Sequence, residues 1–314
     1  MRSKIESIVS EIGKVVEFAQ NGSSLRVCIE LNEAVSPLAQ TMQRAIQEYI
    51  TSEGLTPEVE LREREKRKAK AKIEEVHNGT ADVGRVVIVA SGKGGVGKSS
   101  VAAALARSLA ARGEKVGVLD ADIYGPSQTK LFGMEGEVPY ATPDDMIVPP
   151  VSAEGIKVMS IGFFVGREDA LVWRGPMATS ALKQLIHQTQ WGGIDTLVVD
   201  LPPGTGDIHL SVADQLDITA AVIVTTPSEL ALSDVIRGVT MLSNDNIAVP
   251  IVGIVNNMAY FTPEDAPEKK YYIFGTREGL DSVAEQFSLS VVAEVPITGV
   301  VGSAIDYRIF DGLL

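Results

Sequence analysis

The sequence predicts an α/β protein in which a mostly parallel, doubly wound sheet follows a small α+β domain. From Arg85 onward, short runs rich in valine and isoleucine alternate with helical stretches, which is typical of a parallel sheet covered by helices on both faces. Before this point, helix and strand patterns follow one another in the order α-β-β-α-β. We therefore expect a small domain over residues 1–60, a charged linker over 61–84 and a larger domain over 85–314.

Composition limits the class of protein. The chain has 314 residues, of which 45% are hydrophobic, and a formal net charge of −13, which repels nucleic acid and anionic membranes. Its one cysteine, Cys28, excludes an intramolecular disulfide. The first residues lack a signal-peptide core, and no uncharged apolar run reaches the roughly 18 residues of a membrane span. We expect a cytoplasmic protein with no nucleic-acid or membrane partner.

The small domain shows each of its elements in turn. A hairpin is predicted at Asn21-Gly22, between "KVVEF" and "LRVCIEL", followed by a helix over 37–50 and a short strand "PEVEL". In "LRVCIEL" the alternation places Cys28 beside Arg26 on the face that we expect to be more exposed. The first helix is predicted from four apolar residues at helical spacing: Ile5, Ile8, Val9 and Ile12.

The basic run "LREREKRKAKAK" at the start of the linker is interpreted as solvated, because it lacks interleaved aromatic residues. In the larger domain, helices are predicted over 98–112, 177–190 and 228–243. Seven apolar runs are predicted to be buried strands: "RVVIVA", "KVGVLD", "IKVMSI", "IDTLVVD", "ITAAVIVTT", "PIVGIVN" and "SVVAEV".

A phosphate-binding loop is predicted in "VASGKGGVGKSS", residues 89–100. It fits G-x-x-x-x-G-K-[ST], follows a predicted strand and opens a predicted helix. Backbone amides in such a loop cradle phosphates, Lys98 neutralises the β and γ oxygens, and the Ser99 hydroxyl binds Mg²⁺. The predicted nucleotide-binding residues of the loop are Gly92, Lys93, Gly94, Gly95, Val96, Gly97, Lys98, Ser99 and Ser100.

The loop contains a second lysine, Lys93, which the phosphate cradle does not need. A lysine at this position can instead reach the phosphates of a second subunit, as an arginine finger does. The alternative is a solvent-exposed loop lysine. The arrangement resembles the deviant Walker A loop, K-G-G-x-G-K-[ST], of ATPases that dimerise face to face around two nucleotides.

Carboxylates follow two of the predicted strands. "VGVLDADIYGPS" carries Asp120 and Asp122, which we expect near the γ-phosphate, since open α/β sheets bind ligands at the carboxyl ends of their strands. "TLVVDLPPGTGD" carries Asp200, a carboxylate for the Mg²⁺ shell, and then Gly204, a hinge that can sense the γ-phosphate. Taken singly, any of these aspartates could be a helix N-cap.

Together these motifs resemble the Mrp/ApbC family of P-loop ATPases, which are cytosolic iron–sulfur cluster carriers or assembly scaffolds within the MinD/ParA-like superfamily. The resemblance covers roughly residues 85–297, and the amino-terminal unit resembles the small MIP18-like domain that often precedes the ATPase. The motifs that carry it are "VASGKGGVGKSS", "LDADIYGPSQ", "WRGPMATSALKQL", "LVVDLPPGTGDIHL", "VTTPSELALSDV" and "VGIVNNMAYF".

The resemblance implies a homodimer that binds ATP and Mg²⁺ and hydrolyses ATP slowly. It implies that Lys93 acts in trans, Asp122 orients the attacking water and Asp200 lies near Mg²⁺, with apo iron–sulfur proteins or assembly factors as partners. Either Asn256 or Asn257 could hydrogen-bond adenine. The family's asparagine-methionine segment points to Asn257.

The sequence departs from the family at its cluster ligands. The family commonly has C-x-x-C after the asparagine-methionine segment, whereas this chain has "AYFTPEDAPEKKYYIFG", and Ser36 replaces the usual amino-terminal cysteine. Two copies of Cys28 give a dimer two thiolates, while a cluster ordinarily takes four. The ligands are therefore unknown, with Cys28 the only cysteine candidate. The three histidines are isolated and are interpreted as surface or packing residues: His77, His187 and His209.

Two further stretches carry expectations. The chain ends at "IDYRIFDGLL", where the family continues into a final helix, so we expect a shortened carboxyl end and altered adenine-side packing. The role of residues 262–275 is open. Their carboxylates Glu264, Asp265 and Glu268 could bind a hard cation or could belong to a solvated loop.

Three functions remain as hypotheses. The first is an ATP-dependent dimeric switch in iron–sulfur cluster carriage or assembly. The second is a positioning ATPase of the MinD/ParA kind, which would need an amphipathic membrane helix or a basic DNA-binding face. The third is a nucleotide-stabilised adaptor that no longer binds a cluster itself.

Overall fold

The structure is a computed structural model of the 314-residue chain. It describes residues 1, 4–5, 9, 13–31, 37–63, 79–164, 175–244, 247–297 and 305–314. Contacts between Cα atoms divide the chain into two units, Met1–Val76 and His77–Leu314. Each unit has its own hydrophobic core. The predicted domain and linker boundaries stay predictions.

The small unit is a three-stranded sheet with one helix. The predicted hairpin is confirmed, since Asn21 pairs with Ser24 across a turn in which Gly22 has φ 60°. The described residues of the predicted first helix include Ile5 and Val9, which are buried in this core. The elements are β1 (Gly13–Asn21), β2 (Ser24–Leu31), α1 (Pro37–Ser52) and β3 (Thr56–Glu63).

β2 lies in the middle of this sheet, antiparallel to β1 and parallel to β3. The pairing of β2 with β3 continues to Glu63 opposite Leu31, which is three residues into the stretch predicted as linker. Ile46 and Ile50 of α1 belong to the core of this unit. The sheet therefore packs one apolar face against the helix.

Cys28 lies on the sheet face that carries the exposed Arg26, as expected, but its own side chain is completely buried. Cys28 sits on the central strand, opposite Glu17 of β1 and Glu60 of β3. Arg26 and Arg62 both form ion pairs with Glu60, 3.3 and 3.0 Å long, and these long side chains surround the thiol. Alternation along one strand places a residue on a face but does not show how far neighbouring strands cover it.

Burial raises the pKa of the Cys28 thiol. We therefore expect the native thiol to react with an aromatic disulfide reagent at pH 8 at least about tenfold more slowly than in the unfolded chain. The variant Cys28→Ser with Ser23→Cys moves the thiol to the exposed hairpin turn and should react at the unfolded rate. Equal rates for native and unfolded wild-type protein would contradict the buried position.

The large unit contains a seven-stranded sheet in the order β12-β11-β10-β4-β9-β5-β8, and every neighbouring pair is parallel. The predicted parallel sheet is thus confirmed. Its strands are β4 (Arg85–Ala90), β5 (Val116–Asp120), β8 (Lys157–Ser160), β9 (Thr196–Asp200), β10 (Ala220–Thr225), β11 (Ile251–Phe261) and β12 (Val291–Ile297). A separate antiparallel pair is formed by β6 (Tyr140–Ala141) and β7 (Ile147–Val148).

Helices cover both faces of this sheet, as expected for a doubly wound fold. One core contains apolar residues of α4 to α7, and the other is built around α2 and the fully buried Phe310. Phe310 belongs to a short 3₁₀ helix that packs against α2, where Ser108 Oγ donates to Asp311 Oδ1 over 2.9 Å. The helices are α2 (Lys98–Ala111), α3 (Gln128–Leu131), α4 (Gly175–Gln188), α5 (Asp207–Gln215), α6 (Glu229–Leu242) and α7 (Glu278–Gln286).

The strand order decides which loops meet. β9 lies between β4 and β5, and its last residue, Asp200, pairs with Asp120 at the end of β5 and with Val89 near the end of β4. The loop after β4 and both carboxylates therefore share one edge of the sheet. Among the described residues, no helix combines the length and the apolar character needed to cross a membrane.

Candidate functional site

The loop between β4 and α2 has the backbone of a phosphate cradle. Gly95 and Gly97 adopt φ values of 81° and 78°, in the left-handed region that favours glycine. A Cβ on Gly97 would lie 2.2 Å from Asn257 Nδ2, and one on Gly92 would lie 2.1 Å from the Asp234 carbonyl oxygen. α2 begins directly after the loop, so the free amides of its first turn face the same end.

The loop borders a cavity of about 430 Å³. Loop residues 93–100 line it together with Asp122, Gly125 and Pro203. Backbone amides, a lysine, a serine hydroxyl and a carboxylate thus converge on one space. This donor set fits the phosphates of a nucleotide and their Mg²⁺ ion.

Lys98 and Asp200 form a buried ion pair in the wall of this site. Their side chains are 6% and 0% exposed, and Lys98 Nζ also lies 3.2 Å from Ser99 Oγ. The structure therefore brings together the predicted phosphate lysine and both predicted Mg²⁺ ligands. Each charge compensates the other away from water.

Gln128 is part of this site and was not predicted. Its side chain is fully buried, and Nε2 donates to Asp200 Oδ2 over 2.8 Å and to the Ser99 carbonyl oxygen over 3.1 Å. Asp200 is thus held on one oxygen by Lys98 and on the other by Gln128. In the sequence, a glutamine after "GPS" looks like an ordinary polar residue at the start of a helix. Only the fold reveals that it contacts Asp200, which is 72 residues away in the sequence.

Asp120 is not among the residues that line the cavity, and its place near the γ-phosphate stays a prediction. It is fully buried and accepts hydrogen bonds from the amides of Ser127 and Gln128, at 2.9 and 3.0 Å, and from Ser160 Oγ at 3.0 Å. Burial, and then the charge of Asp200, raises the pKa of Asp120 to about 7. Asp120 therefore anchors the loop after β5.

Asp122 does face the cavity and is half-buried. Its Oδ1 accepts a hydrogen bond from the Gly125 amide over 3.3 Å. Burial raises the pKa of Asp122, while the positive charge of Lys98 opposes that rise. A carboxylate with a raised pKa accepts a proton more readily at neutral pH.

Lys93 lines the cavity and is half-exposed. Its carbonyl oxygen accepts a hydrogen bond from Ser91 Oγ over 3.0 Å, but its ammonium makes no hydrogen bond or ion pair among the residues that the structure describes. Gly204, with φ 96°, donates its amide to the Ser91 carbonyl over 2.9 Å. This contact ties the turn after β9 to the phosphate loop.

The two asparagines in the middle of β11, Asn256 and Asn257, make different contacts. Asn257 is buried and its Nδ2 donates to the Val96 carbonyl over 2.8 Å, so it braces the phosphate loop. Asn256 is also buried, with Nδ2 3.4 Å from Glu294 Oε1. A contact of Asn257 with adenine stays a prediction.

The remaining polar candidates contribute no metal site in the described part of the chain, where no group of three or more His, Cys, Asp or Glu could hold a metal ion. His187 Nε2 lies 2.7 Å from Gln215 Oε1. His209 is buried beside a neighbouring cavity of about 540 Å³, and burial lowers its pKa. Ser36 and His77 lie outside the described residues.

A sequence profile described as ParA, NUBPL iron-transfer P-loop NTPase, matches residues 82–309. The chain belongs to this family. The match covers the sheet, the phosphate loop and every carboxylate of the site. It confirms the resemblance to iron–sulfur cluster carrier ATPases that the motifs indicated.

Relatives named iron-sulfur cluster carrier protein match 68–70% of the chain. The Haemophilus influenzae protein is 45% identical over 215 residues, which are 68% of this chain and 57% of the relative. The Pseudomonas fragi protein is 46% identical over 220 residues, 70% of this chain and 75% of the relative. The matched region thus spans a little over half of the Haemophilus protein's length.

Solved structures of other proteins share this fold. A nucleotide-binding protein from Archaeoglobus fulgidus in complex with ADP has a TM-score of 0.62 and 36% identity, covering 72% of this chain and 87% of the other. Apo McdA from Cyanthece has a TM-score of 0.51 at 16% identity, covering 73% and 90%, which shows the fold alone.

Proposed function

We propose that this chain is an ATP-binding and ATP-hydrolysing homodimeric switch that acts in the carriage or assembly of iron–sulfur clusters and their delivery to apo-proteins in the cytoplasm. The observation that carries this proposal is a phosphate cavity lined by Lys98, Ser99 and Asp122, with Asp200 beside it and Lys93 without a side-chain partner among the described residues. The ADP complex of the Archaeoglobus relative supports the nucleotide, and the names of the bacterial relatives support the cluster.

Binding of ATP would break the Lys98–Asp200 ion pair. Lys98 would turn to the phosphates, and its release would free Asp200 to hold Mg²⁺ together with the Ser99 hydroxyl. A bound Mg²⁺ ion would neutralise negative charge on the phosphates. Because Asp200 is hydrogen-bonded to Gln128, and the next turn is tied to the loop at Ser91, this exchange would be transmitted to the residues after β9.

Hydrolysis needs a positioned water and compensation of the transition-state charge. Asp122 would orient the water and accept its proton as the water oxygen bonds to the γ-phosphorus and the bond to the bridging oxygen of ADP breaks. Lys93 would reach the phosphates of a second subunit, where its ammonium would find an anionic partner. Turnover would therefore require the dimer and be slow outside it.

The residues of this chain do not fit a resident iron–sulfur cluster. Cys28 is its only cysteine and is buried, so a dimer exposes no thiolate set. A cluster would then be cargo held by thiols of another molecule. The same observation favours the second candidate, an adaptor that binds nucleotide and partners but no cluster.

Anaerobic reconstitution separates these two functions. The protein is incubated with iron and sulfide, with and without Mg-ATP and glutathione, and bound iron and sulfide are assayed per dimer, followed by transfer to an apo-ferredoxin. ATP-dependent transfer supports the carrier function. If the wild-type protein binds a cluster that Cys28→Ser does not bind, the buried position of the thiol would be contradicted. If no cluster is bound or transferred under any condition, the adaptor function would be supported instead of the carrier function.

Gln128 gives a sharper test of the Asp200 arrangement. Gln128→Leu keeps the side-chain volume but removes the hydrogen bond to the Asp200 carboxylate, so we expect Mn²⁺ binding to the ADP complex to weaken about tenfold, measured by electron paramagnetic resonance. ADP affinity without metal is the internal control and should not change. An equal loss of metal-free ADP affinity would mean that Gln128 only supports the loop.

A further inference from the structure

An exposed apolar patch lies outside the nucleotide site, in the loop after β11. Four consecutive large side chains there are 45–61% exposed, whereas scattered single apolar residues are the rule on protein surfaces. We call residues 264–274 the acidic-to-apolar segment. Its apolar residues are Tyr271, Tyr272, Ile273 and Phe274.

The backbone of this segment is bonded to β11 at Tyr271. Phe261 and Tyr271 exchange two backbone hydrogen bonds of 2.8 Å. The ring of Tyr272 meets Tyr260 edge-on with centroids 6.3 Å apart, and Lys270 Nζ lies 4.0 Å from the Tyr260 ring centroid. The exposed apolar side chains therefore begin at a residue whose backbone is bonded to the end of β11.

The segment lies at the same edge of the sheet as the nucleotide site. It follows β11, whose Asn257 braces the phosphate loop at Val96. Gly275 at its end lies so close to Pro227, just beyond β10, that an added Cβ would be 3.1 Å from the Pro227 carbonyl oxygen. A second subunit that faces the nucleotide site is thus within reach of this patch.

The charges of the segment favour a second copy of the same chain. Its first part carries Glu264, Asp265 and Glu268, and its second part carries Lys269 and Lys270. All five are exposed, and none forms an ion pair among the described residues. A twofold axis through the segment would place the acidic part of one copy opposite the basic part of the other. Local pairing of this kind offsets the repulsion between two chains of charge −13.

We propose that the acidic-to-apolar segment is a self-complementary dimer contact, in which two copies bury Tyr271 to Phe274 and pair their charged halves. The proposal rests on the homodimer proposed above. It gives residues 264–274 a role and makes dimer formation independent of a bridging cluster.

Sedimentation velocity over a concentration series tests the apolar part, using the full chain with ADP and without iron. We expect Ile273→Asp with Phe274→Asp to weaken dimerisation at least about tenfold. Both side chains are exposed in the single subunit, so folding should be unaffected, as circular dichroism can verify. Val138→Asp is the matched control, because Val138 is 76% exposed elsewhere and its replacement should leave the dimer intact.

Charge exchange tests the self-complementary part. Lys269→Glu with Lys270→Glu should weaken the dimer, and adding Glu264→Lys with Asp265→Lys in the same chain should restore it. A wild-type protein that stays monomeric with nucleotide, or a dimer unaffected by the aspartate pair, would overturn the proposal.

These outcomes are distinguishable from a failure of the proposed function. ATP turnover that depends on protein concentration and on Lys93, together with a dimer that is insensitive to the segment variants, would leave the switch standing and remove only this surface. The opposite outcome is a monomeric Ile273→Asp, Phe274→Asp variant that hydrolyses ATP at the wild-type rate. It would support the proposed dimer contact and contradict dimer-dependent hydrolysis.

Discussion

Lys93→Ala lowers the rate of ATP hydrolysis about a thousandfold and leaves the affinity for ADP unchanged. We expect this result because a cation supplied across an interface stabilises the transition state by that order. Within its own subunit, the Lys93 ammonium has no described partner to lose. Phosphate release is measured over a range of protein concentrations, and ADP affinity by calorimetry. Lys130→Ala is the matched control, because Lys130 lines the same cavity and should change the rate only a few-fold.

Mixing two inactive variants decides whether Lys93 acts in trans. A Lys93→Ala subunit keeps its own Asp122, and an Asp122→Ala subunit keeps its own Lys93. If the lysine crosses the interface, each mixed dimer contains one complete site, so an equal mixture should regain about a quarter of wild-type activity. A mixture as inactive as its components would show that Lys93 serves its own subunit.

Asp200→Asn destabilises the protein by about 3 kcal/mol when no nucleotide is present. The substitution leaves the Lys98 ammonium, which is 6% exposed, without the carboxylate that compensates it, and breaking a buried ion pair from one side costs this much. ADP without Mg²⁺ should recover part of the loss, because its phosphates give Lys98 a new anionic partner. Urea unfolding followed by tryptophan fluorescence measures both effects, since Trp191 is fully buried in the large unit.

The opposite variant, Lys98→Met, separates this explanation from general damage to the core. It leaves Asp200 buried and paired only with Gln128, so it should destabilise the protein by a similar amount. ADP should now give little recovery, because the side chain that binds its phosphates is gone. Equal recovery in both variants would contradict the exchange of Lys98 between Asp200 and phosphate.

The roles predicted for the large unit depended on local patterns that the fold preserves. The spacing of Gly92, Gly97 and Lys98 forces a turn between a strand and a helix, and that turn forms the phosphate cradle. Asp122 lines this cavity, as expected from its place after β5. These residues were predictable because a parallel sheet gathers the carboxyl ends of its strands at one edge.

Other residues could be assigned only from neighbours distant in sequence. Gln128 is assigned to the site from its 2.8 Å hydrogen bond to Asp200, and Asp120 is assigned as an anchor from the four hydrogen bonds that its carboxylate accepts. Cys28 is buried because the neighbouring strands place Glu17, Glu60 and Arg62 around it. The contacts that decide these three positions come from other strands and loops, so the adjacent residues in the sequence do not predict them.

The sequence by itself determined the α/β class, the phosphate loop, the family and the shortage of cysteine ligands, because each depends on local spacing or on counting. The tertiary structure alone decided that Lys98 and Asp200 compensate each other, that Asp120 is an anchor and that an apolar segment stands exposed beside the site. Burial and electrostatic pairing arise between strands and loops that meet only after folding. No short stretch of the sequence is therefore sufficient to predict them.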